Sequence, residues 1–154
     1  AAMDDWEKML NTNVHGLLYV TKAVIPYMIA RKKGHIINMG SIAGKEVYEK
    51  GNVYCASKFA VNALSQAMRI DLLKHNIKVT GISPGAVETE FSLIRFKGDE
   101  QKATATYEGI VPLTGADVAD TIFYCNQLHA HVCINDIVMT CTQQARSNYF
   151  YKTQ

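Results

Sequence analysis

The sequence predicts an α/β protein built on a doubly wound parallel sheet. Short apolar segments closed by glycine or proline alternate with longer segments of helical periodicity. Crossover connections between parallel strands are right-handed, so the carboxyl ends of the strands meet along one edge of the sheet. Ligands bind at that edge in this class of fold. The 154 residues suffice for one domain or for a large part of one.

The helices are predicted from apolar periodicity and from their end signals. A long first helix is expected to begin at Asp4, because Glu7 stands three residues on as in a capping box. The periodicity continues to a basic run that closes at Gly34. Pro26 is expected to kink or divide this helix, since proline lacks a backbone donor. A second helix is predicted over residues 53–75.

Three short apolar segments predict the strands, at residues 35–40, 77–83 and 132–139. The first is closed by glycine and the second by a Pro-Gly pair, which are typical strand ends. Between the second and third strands we expect a short helix at 99–108 and a longer one at 114–127.

The composition argues against several classes of partner. Sixteen basic and fourteen acidic residues are interspersed, so the net charge of +2 forms no continuous field for nucleic acid or an anionic membrane. No apolar run approaches the roughly 18 residues of a membrane span. The four cysteines contain no Cys-x-x-Cys pair, which is typical of reduced thiols in a cytoplasmic protein. We therefore expect a cytoplasmic protein with no nucleic-acid or membrane partner.

A metal site is considered and not predicted. His129, His131 and Cys133 alternate, so they would share one face of a strand. No carboxylate or further ligand cluster stands near them. Ordinary polar residues at a strand edge explain the pattern better.

Tyr54 and Lys58 are four residues apart on the predicted second helix, so their side chains project from one face. An ammonium near a phenol favours the phenolate and lowers the tyrosine pKa from about 10. Ser41 stands at the predicted end of a strand, where its hydroxyl can address the same substrate oxygen. Each residue also has a structural explanation: a surface pair for Tyr54 and Lys58, a turn or cap for Ser41, and a solvent-facing side chain for Asn13.

Four motifs, taken in order, resemble those of the short-chain dehydrogenase/reductase family. They are Asn-Val-x-Gly at Asn13, Ile-Ile-Asn-Met-Gly-Ser-Ile-Ala-Gly ending at Gly44, Tyr-x-x-x-Lys at Tyr54 and Pro-Gly-x-Val-x-Thr at Pro84. The resemblance covers nearly the whole chain. It implies a Rossmann-like fold, a nicotinamide dinucleotide cofactor, and hydride transfer at a hydroxyl or carbonyl carbon of a small molecule.

The resemblance also implies the site residues. Tyr54 would be the acid/base, Ser41 would orient the substrate oxygen, and Asn13 would support a water chain to Lys58. Tyr54 and Lys58 would also contact the cofactor, Lys58 at the nicotinamide ribose. The resemblance therefore implies a catalytic tetrad of Asn13, Ser41, Tyr54 and Lys58. The nicotinamide-side loop would be formed by Pro84, Gly85, Val87 and Thr89.

Residues 88–99 and 140–144 are similar to one branch of the family, the NADP-dependent 3-hydroxy acid and serine dehydrogenases. This similarity implies NADP, with NAD as the alternative, and a small 3-hydroxy acid substrate. Arg95 would clamp the substrate carboxylate with its paired donors, whereas the alternative is a surface arginine. The alternative functions are a reductase of 3-oxoacyl thioesters and a non-catalytic member of the fold that serves assembly or partner binding.

The family begins with a strand, a glycine-rich turn and a helix that receive the dinucleotide phosphates, and residues 1–154 contain no such turn. We therefore expect this chain to be the catalytic half of the domain and to bind cofactor poorly by itself. The helix over 53–75 is apolar on more than one side. A helix with so broad an apolar surface predicts a homodimer or homotetramer, although burial beneath the chain's own loops would give the same pattern.

Overall fold

The elements of the structure, a computed structural model that describes residues 2–153, alternate between helices and strands as expected. The helices are α1 (Met3–Leu10), α2 (Gly16–Arg31), α3 (Asn52–Asp71), α4 (Glu90–Arg95), α5 (Glu100–Ala105) and α6 (Gly115–Gln127). The strands are β1 (Gly34–Met39), β2 (Ile77–Pro84), β3 (Val87–Glu88), β4 (Leu113–Thr114), β5 (Asp136–Met139), β6 (Gln144–Arg146) and β7 (Tyr149–Phe150).

A three-stranded parallel sheet in the order β1–β2–β5 forms the centre of the fold. Helices cover both of its faces. Ile36 packs with α3 residues such as Met68, whereas its neighbour Ile37 packs on the opposite side with Val118 of α6. Successive side chains of a strand point to opposite faces, so this division confirms the predicted doubly wound α/β architecture.

The first helical segment runs without a break over residues 3–31, but its start and its irregularity differ from the prediction. The helix begins at Met3 rather than Asp4, and the Asp5 carboxylate, not Glu7, accepts a 3.4 Å hydrogen bond from the Ala2 backbone nitrogen. Pro26 does not divide α2. One missing hydrogen bond is tolerated because neighbouring residues such as Ile25 pack on the core.

The irregularity lies instead at Asn11–His15, a π-helical turn between α1 and α2. Such turns widen a helix by one residue and often occur at functional sites. The long helix therefore carries its irregular turn at the residues of the Asn-Val-x-Gly motif, where no proline or glycine pattern predicted one.

The last strand is shorter than predicted. The strand β5 comprises Asp136–Met139, and the carbonyl oxygen of Asn135 accepts a 3.0 Å hydrogen bond from the Gly81 nitrogen of β2. Residues 132–134 run beside the sheet without backbone pairing to β2. His129 and His131 therefore lie in a connecting segment rather than on a strand, with ring centroids 6.0 Å apart. In the described part of the chain, no cluster of three or more potential metal ligands occurs.

The helices α3, α5 and α6 lie close to their predicted positions, whereas α4 was not predicted. The helix α3 ends at Asp71 and a 3₁₀ turn continues to His75. Asp99 caps α5, and Thr114 and Asp117 cap α6 reciprocally. The four cysteines are unpaired. None of the helices within residues 2–153 combines the length and apolar character that a bilayer crossing requires.

Candidate active site

A cavity of about 260 Å³ opens where β1 and β2 end. Its walls come from the segments that follow these strands, the first turn of α3, the helix α4, and the C-terminal hairpin of β6 and β7. The position is the carboxyl edge of a parallel sheet, where the fold class is expected to bind ligands. Ser41, Tyr54 and Arg95 all line this cavity.

Ser41 directly follows the end of β1 and is buried. Its backbone is extended, and its Oγ accepts a 3.1 Å hydrogen bond from the backbone nitrogen of Ala43 in the 3₁₀ turn Ile42–Gly44. The same hydroxyl lies 3.5 Å from the carbonyl oxygen of Pro84, to which it donates. Ser41 therefore caps the 3₁₀ turn, which is the structural role considered for it in the sequence analysis. It also lines the cavity.

The 3₁₀ turn after Ser41 packs closely on α3. At Gly44, a Cβ atom would lie 2.6 Å from the carbonyl oxygen of Lys58, which is closer than real side chains approach. A glycine at this position therefore lets Ser41 and Tyr54 come together at one wall of the cavity.

Tyr54 is half-buried near the start of α3, with its ring centroid 5.4 Å from that of Phe91. Burial is the largest influence on its phenol and raises the pKa of Tyr54 above its usual range. The Ser41 hydroxyl and the charge of Arg95 lower this pKa in part. Burial outweighs these two influences, so the net shift of the Tyr54 pKa is upward, and Lys58 is not among the groups that lower it in this structure.

Lys58 lies on the same face of α3 as Tyr54, as the spacing predicts, with its Nζ atom 5.9 Å from the Tyr54 ring centroid. The ammonium forms no hydrogen bond with the phenol oxygen of Tyr54. It donates a 3.0 Å hydrogen bond to the carbonyl oxygen of Met39, and burial lowers the pKa of Lys58. Lys58 is not among the residues that line the cavity.

Asn13 lies in the π-helical turn and is half-buried, so the solvent-facing alternative is wrong. Its Nδ2 atom donates a 3.0 Å hydrogen bond to the hydroxyl of Ser57, and that hydroxyl donates to the carbonyl oxygen of Tyr54 at 2.8 Å. Asn13 thus supports the first turn of α3 and does not reach the cavity. Ser57 is fully buried, and no sequence signal singled it out.

The predicted nicotinamide-side loop follows β2, and all four of its residues line the cavity. The backbone nitrogen of Gly85 donates to the carbonyl oxygen of Met139 at 2.8 Å, which anchors the loop to β5. The hydroxyl of Thr89 caps α4 by accepting from the Phe91 nitrogen at 3.3 Å. The loop is therefore held at both ends beside Tyr54. The four residues are Pro84, Gly85, Val87 and Thr89.

Arg95 stands at the end of α4 and is exposed at the rim of the cavity. Its guanidinium carbon lies 5.4 Å from the ring centroid of Tyr48 and 5.7 Å from that of Phe96. No carboxylate of residues 2–153 forms a salt bridge with it. The two aromatic rings restrict the position of the guanidinium. Its positive charge has no carboxylate partner among residues 2–153.

Two tyrosines in the cavity wall were missed by the sequence analysis. Tyr107 donates a 2.8 Å hydrogen bond to the carbonyl oxygen of Val87, and the hydroxyl of Ser92, 2.7 Å away, donates to Tyr107 in turn. Tyr48 lies under Arg95. Both tyrosines come from irregular segments without periodicity, so no local pattern marks them.

The C-terminal hairpin supplies further wall residues that the sequence did not indicate. Glu46 holds the hairpin, because its Oε1 accepts from the Ser147 nitrogen at 2.6 Å and its Oε2 pairs with Arg146 at 3.3 Å. Gln144 accepts a 2.8 Å hydrogen bond from the Ala86 nitrogen. These contacts join residues more than fifty positions apart, which sequence spacing cannot reveal.

The sheet, the cavity at its carboxyl edge and the order of motifs agree with a match to the family model described as short chain dehydrogenase, over residues 1–98. The chain belongs to the short-chain dehydrogenase family.

Its similarity to individual members is also close. The chain is 47% identical over 146 residues to the NADP-dependent 3-hydroxy acid dehydrogenase of Escherichia coli K12 and 40% identical over 152 residues to that of Schizosaccharomyces pombe. The matches cover 94% and 99% of this chain, but 59% of each relative. The chain therefore spans about 59% of the length of these curated relatives.

Solved structures show the same relationship. The closed form of a serine dehydrogenase complexed with NADP⁺ superimposes with a TM-score of 0.93 at 45% identity, over 100% of this chain and 62% of that one. The serine dehydrogenase of Escherichia coli gives a TM-score of 0.79 at 39% identity, over 94% of this chain and 57% of that one.

Proposed function

We propose that this chain is the catalytic half of an NADP-dependent oxidoreductase that interconverts a small 3-hydroxy acid and the corresponding 3-oxo acid. The observation that carries the proposal is that Ser41, Tyr54 and Arg95 line one cavity at the carboxyl edge of the sheet. The relatives are NADP-dependent 3-hydroxy acid dehydrogenases and a serine dehydrogenase complexed with NADP⁺, which supports both the reaction class and the cofactor.

The residues present fit the nicotinamide end of such a cofactor. The loop of residues 84–89 and the Tyr54 phenol border the same space, and the loop is held in place from both sides. Within residues 2–153 no glycine-rich strand-to-helix turn is available for the dinucleotide phosphates. When bound, NADP would accept or supply the hydride.

The chain's own residues would control the proton and the orientation of the substrate. In the direction of oxidation, Tyr54 as phenolate removes the proton of the substrate hydroxyl. In the direction of reduction, its phenol returns that proton to the carbonyl oxygen. The Ser41 hydroxyl faces the same cavity and would hold the reacting oxygen by a hydrogen bond. Lys58 would hold the nicotinamide ribose, and Asn13 acts at a distance by supporting α3 through Ser57.

Arg95 would bind the carboxylate of the substrate. A guanidinium presents paired donors that match the two oxygens of a carboxylate. The rings of Tyr48 and Phe96 restrict its position, so less side-chain entropy would be lost on binding. A 3-hydroxy acid would thus be held at one end by Arg95 and at its reacting oxygen by Ser41 and Tyr54.

We also propose that the protein is a cytoplasmic homo-oligomer. Large apolar side chains of α2 and α3 are exposed, among them Tyr19, Val20, Tyr27 and Ile70. Exposed apolar surface of this kind is typical of a protein interface. Unpaired cysteines suit a reducing compartment. Light scattering after size-exclusion chromatography should therefore give a dimer or a tetramer, and a monomer would contradict this part of the proposal.

The test of the reaction is the reduction of NADP by the full-length protein with 3-hydroxypropionate, compared with the Tyr54→Phe variant. Loss of the phenolic proton acceptor should lower the rate by about 10²-fold or more, since general acid–base catalysis contributes about 10²–10⁴-fold. Phenylalanine preserves the ring contact with Phe91, so folding should be unchanged. Equal rates in the two proteins would remove Tyr54 from the mechanism.

A further inference from the structure

The loop that follows β2 is attached to two other strands through its backbone. The Gly85 nitrogen donates to the carbonyl oxygen of Met139, the last residue of β5, at 2.8 Å. The carbonyl oxygen of Ala86 accepts from the nitrogen of Leu113 in β4 at 2.9 Å. The Ala86 nitrogen, by contrast, has a side chain as its partner.

That partner is Gln144, the first residue of β6. Its side-chain oxygen accepts a 2.8 Å hydrogen bond from the Ala86 nitrogen, and its side-chain nitrogen donates to the carbonyl oxygen of Arg146 at 3.2 Å. Gln144 is 5% exposed. The amide oxygen thus meets a donor and the amide nitrogen meets an acceptor, so burial and hydrogen bonding fix the side chain in one orientation.

Gly85 provides the space that the Gln144 side chain occupies. A Cβ atom on residue 85 would overlap with the side-chain oxygen of Gln144, and it would lie 2.8 Å from the Cδ atom of Gln144 and 3.0 Å from the methyl carbon of Thr140. The φ angle of Gly85 lies outside the left-handed region, so its backbone conformation does not require glycine. The requirement for glycine is therefore steric, and Gln144 imposes most of it.

The contact acts on the loop proposed to receive the nicotinamide end of the cofactor. Ala86 lies between Gly85 and Val87, two residues of that loop. A loop that is already held in its binding conformation loses less entropy when a ligand binds. We propose that Gln144 is a positioning residue for NADP, which binds the Ala86 nitrogen and fixes the loop before the cofactor arrives. The role rests on the proposed function and makes cofactor affinity depend on the C-terminal hairpin.

The first test is Gln144→Met in the full-length protein, which keeps the length of the side chain and removes both hydrogen bonds. Hydrogen exchange of the Ala86 amide in the cofactor-free protein should become at least about tenfold faster. NMR of protein with isotope-labelled alanine measures it, with Ala86→Ser to assign the resonance. The Kd for NADP, measured by calorimetry, should rise about tenfold, which is the factor that one lost hydrogen bond corresponds to.

The kinetic constants of Gln144→Met provide a further readout. The KM for NADP should rise with the Kd, whereas kcat at saturating NADP should change by less than about twofold, because the bound cofactor itself then holds the loop. A general loss of folded enzyme would lower kcat and leave KM unchanged. An unchanged KM together with a lower kcat would therefore overturn the positioning role.

Gln143→Met is the matched control, because it makes the same substitution at the neighbouring residue. Gln143 also binds backbone atoms, but those of residues 109–111 and of Tyr151. This control should leave the Ala86 amide protected and the Kd for NADP within about twofold of the parent value. If it weakened binding as much as Gln144→Met, general loosening of the hairpin would explain both results and the assignment to Gln144 would fall.

Gly85→Ala tests the same contact from the side of the loop. The added methyl group displaces the Gln144 side chain, so the Kd for NADP should rise in the parent background. In a Gln144→Ala background the methyl group has more space, and the same change should raise the Kd by a smaller factor. Equal factors in the two backgrounds would overturn the steric pairing of Gly85 with Gln144.

The outcomes separate this inference from the proposed function. A parent protein that binds NADP and oxidises 3-hydroxypropionate, with the same Kd in Gln144→Met, would overturn the positioning role and leave the proposed function intact. A parent protein that binds NADP without oxidising this acid would contradict the proposed reaction, while the two Kd values would still decide the role of Gln144. Failure of the parent protein to bind NADP would contradict both proposals.

Discussion

Lys58 donates a 3.0 Å hydrogen bond to the carbonyl oxygen of Met39 and thereby joins α3 to the end of β1. This contact holds the two elements that present Tyr54 and Ser41 to the cavity. It also directs the ammonium to a backbone oxygen rather than to the phenol. The pKa of Tyr54 is raised because burial of the phenol outweighs the nearby groups that favour the phenolate.

Replacing Lys58 by methionine should therefore leave the raised pKa of Tyr54 unchanged in the cofactor-free protein. The pKa can be followed by NMR of tyrosines labelled at the ζ carbon, with Tyr54→Phe to assign the resonance. A clear upward displacement of that pKa in Lys58→Met would show that the ammonium does act on the phenol.

The pH dependence of the reaction should follow the raised pKa of Tyr54. Oxidation needs the phenolate, so its kcat/KM should increase with pH until the pH passes the pKa of Tyr54. Reduction needs the phenol, so its kcat/KM should stay level at neutral pH and fall as the pH rises through the same pKa. A rate of oxidation that is flat from neutral to alkaline pH would contradict the assignment of Tyr54 as the base.

Asn13→Ala should lower the free energy of unfolding by about 1 kcal/mol, since it removes the hydrogen bond to the buried Ser57 hydroxyl. Asn13→Asp should cost at least as much, because a carboxylate cannot donate. Urea denaturation measures both values. Thr12→Ala is the control, since Thr12 lies in the same π-helical turn but is exposed. Equal stability of Asn13→Ala and the parent protein would show that the contact contributes nothing.

Tyr107→Phe should act through α4, which carries Arg95. The variant removes the hydrogen bond to the Val87 carbonyl and leaves the buried Ser92 hydroxyl without its acceptor, at a cost of about 1–3 kcal/mol. With α4 less firmly held, KM for 3-hydroxypropionate should rise more than kcat falls. Adding Ser92→Ala to Tyr107→Phe should cost less than the sum of the single changes, because the two residues share one hydrogen bond. Additive losses would argue against this coupling.

Arg95→Met should raise KM for 3-hydroxypropionate and lower kcat/KM by about 10²-fold, because a charge-assisted bidentate contact contributes about 3 kcal/mol. Arg95→Lys should recover only part of the loss, since a lysine lacks the paired donors. A 3-oxoacyl thioester carries no free carboxylate and provides the contrasting substrate. Retained activity on a thioester, together with little effect of Arg95→Met on the free acid, would favour the thioester reductase alternative.

The course of the chain and most of its elements could be predicted from local patterns. Alternating adjacent residues such as Ile36 and Ile37 define a strand that is covered on both faces, and the reciprocal cap of Thr114 and Asp117 begins α6 where expected. The two wrong predictions, the bounds of the last strand and the position of the irregular helical turn, each have a local reason. The backbone of residues 132–134 approaches the sheet without pairing with β2, and the π-helical turn at 11–15 has no composition signal of its own.

What the sequence by itself determined is the family, the fold class and the four-residue spacing that places Tyr54 and Lys58 on one face of α3, since these depend on order and periodicity along the chain. Only the tertiary structure decided that Lys58 bonds to Met39, that Asn13 reaches Ser57, and that burial raises the pKa of Tyr54. It also decided that the carboxylate of Glu46 binds a hairpin about one hundred residues away in sequence. Solvation and long-range pairing arise when distant segments pack, and no local pattern encodes them.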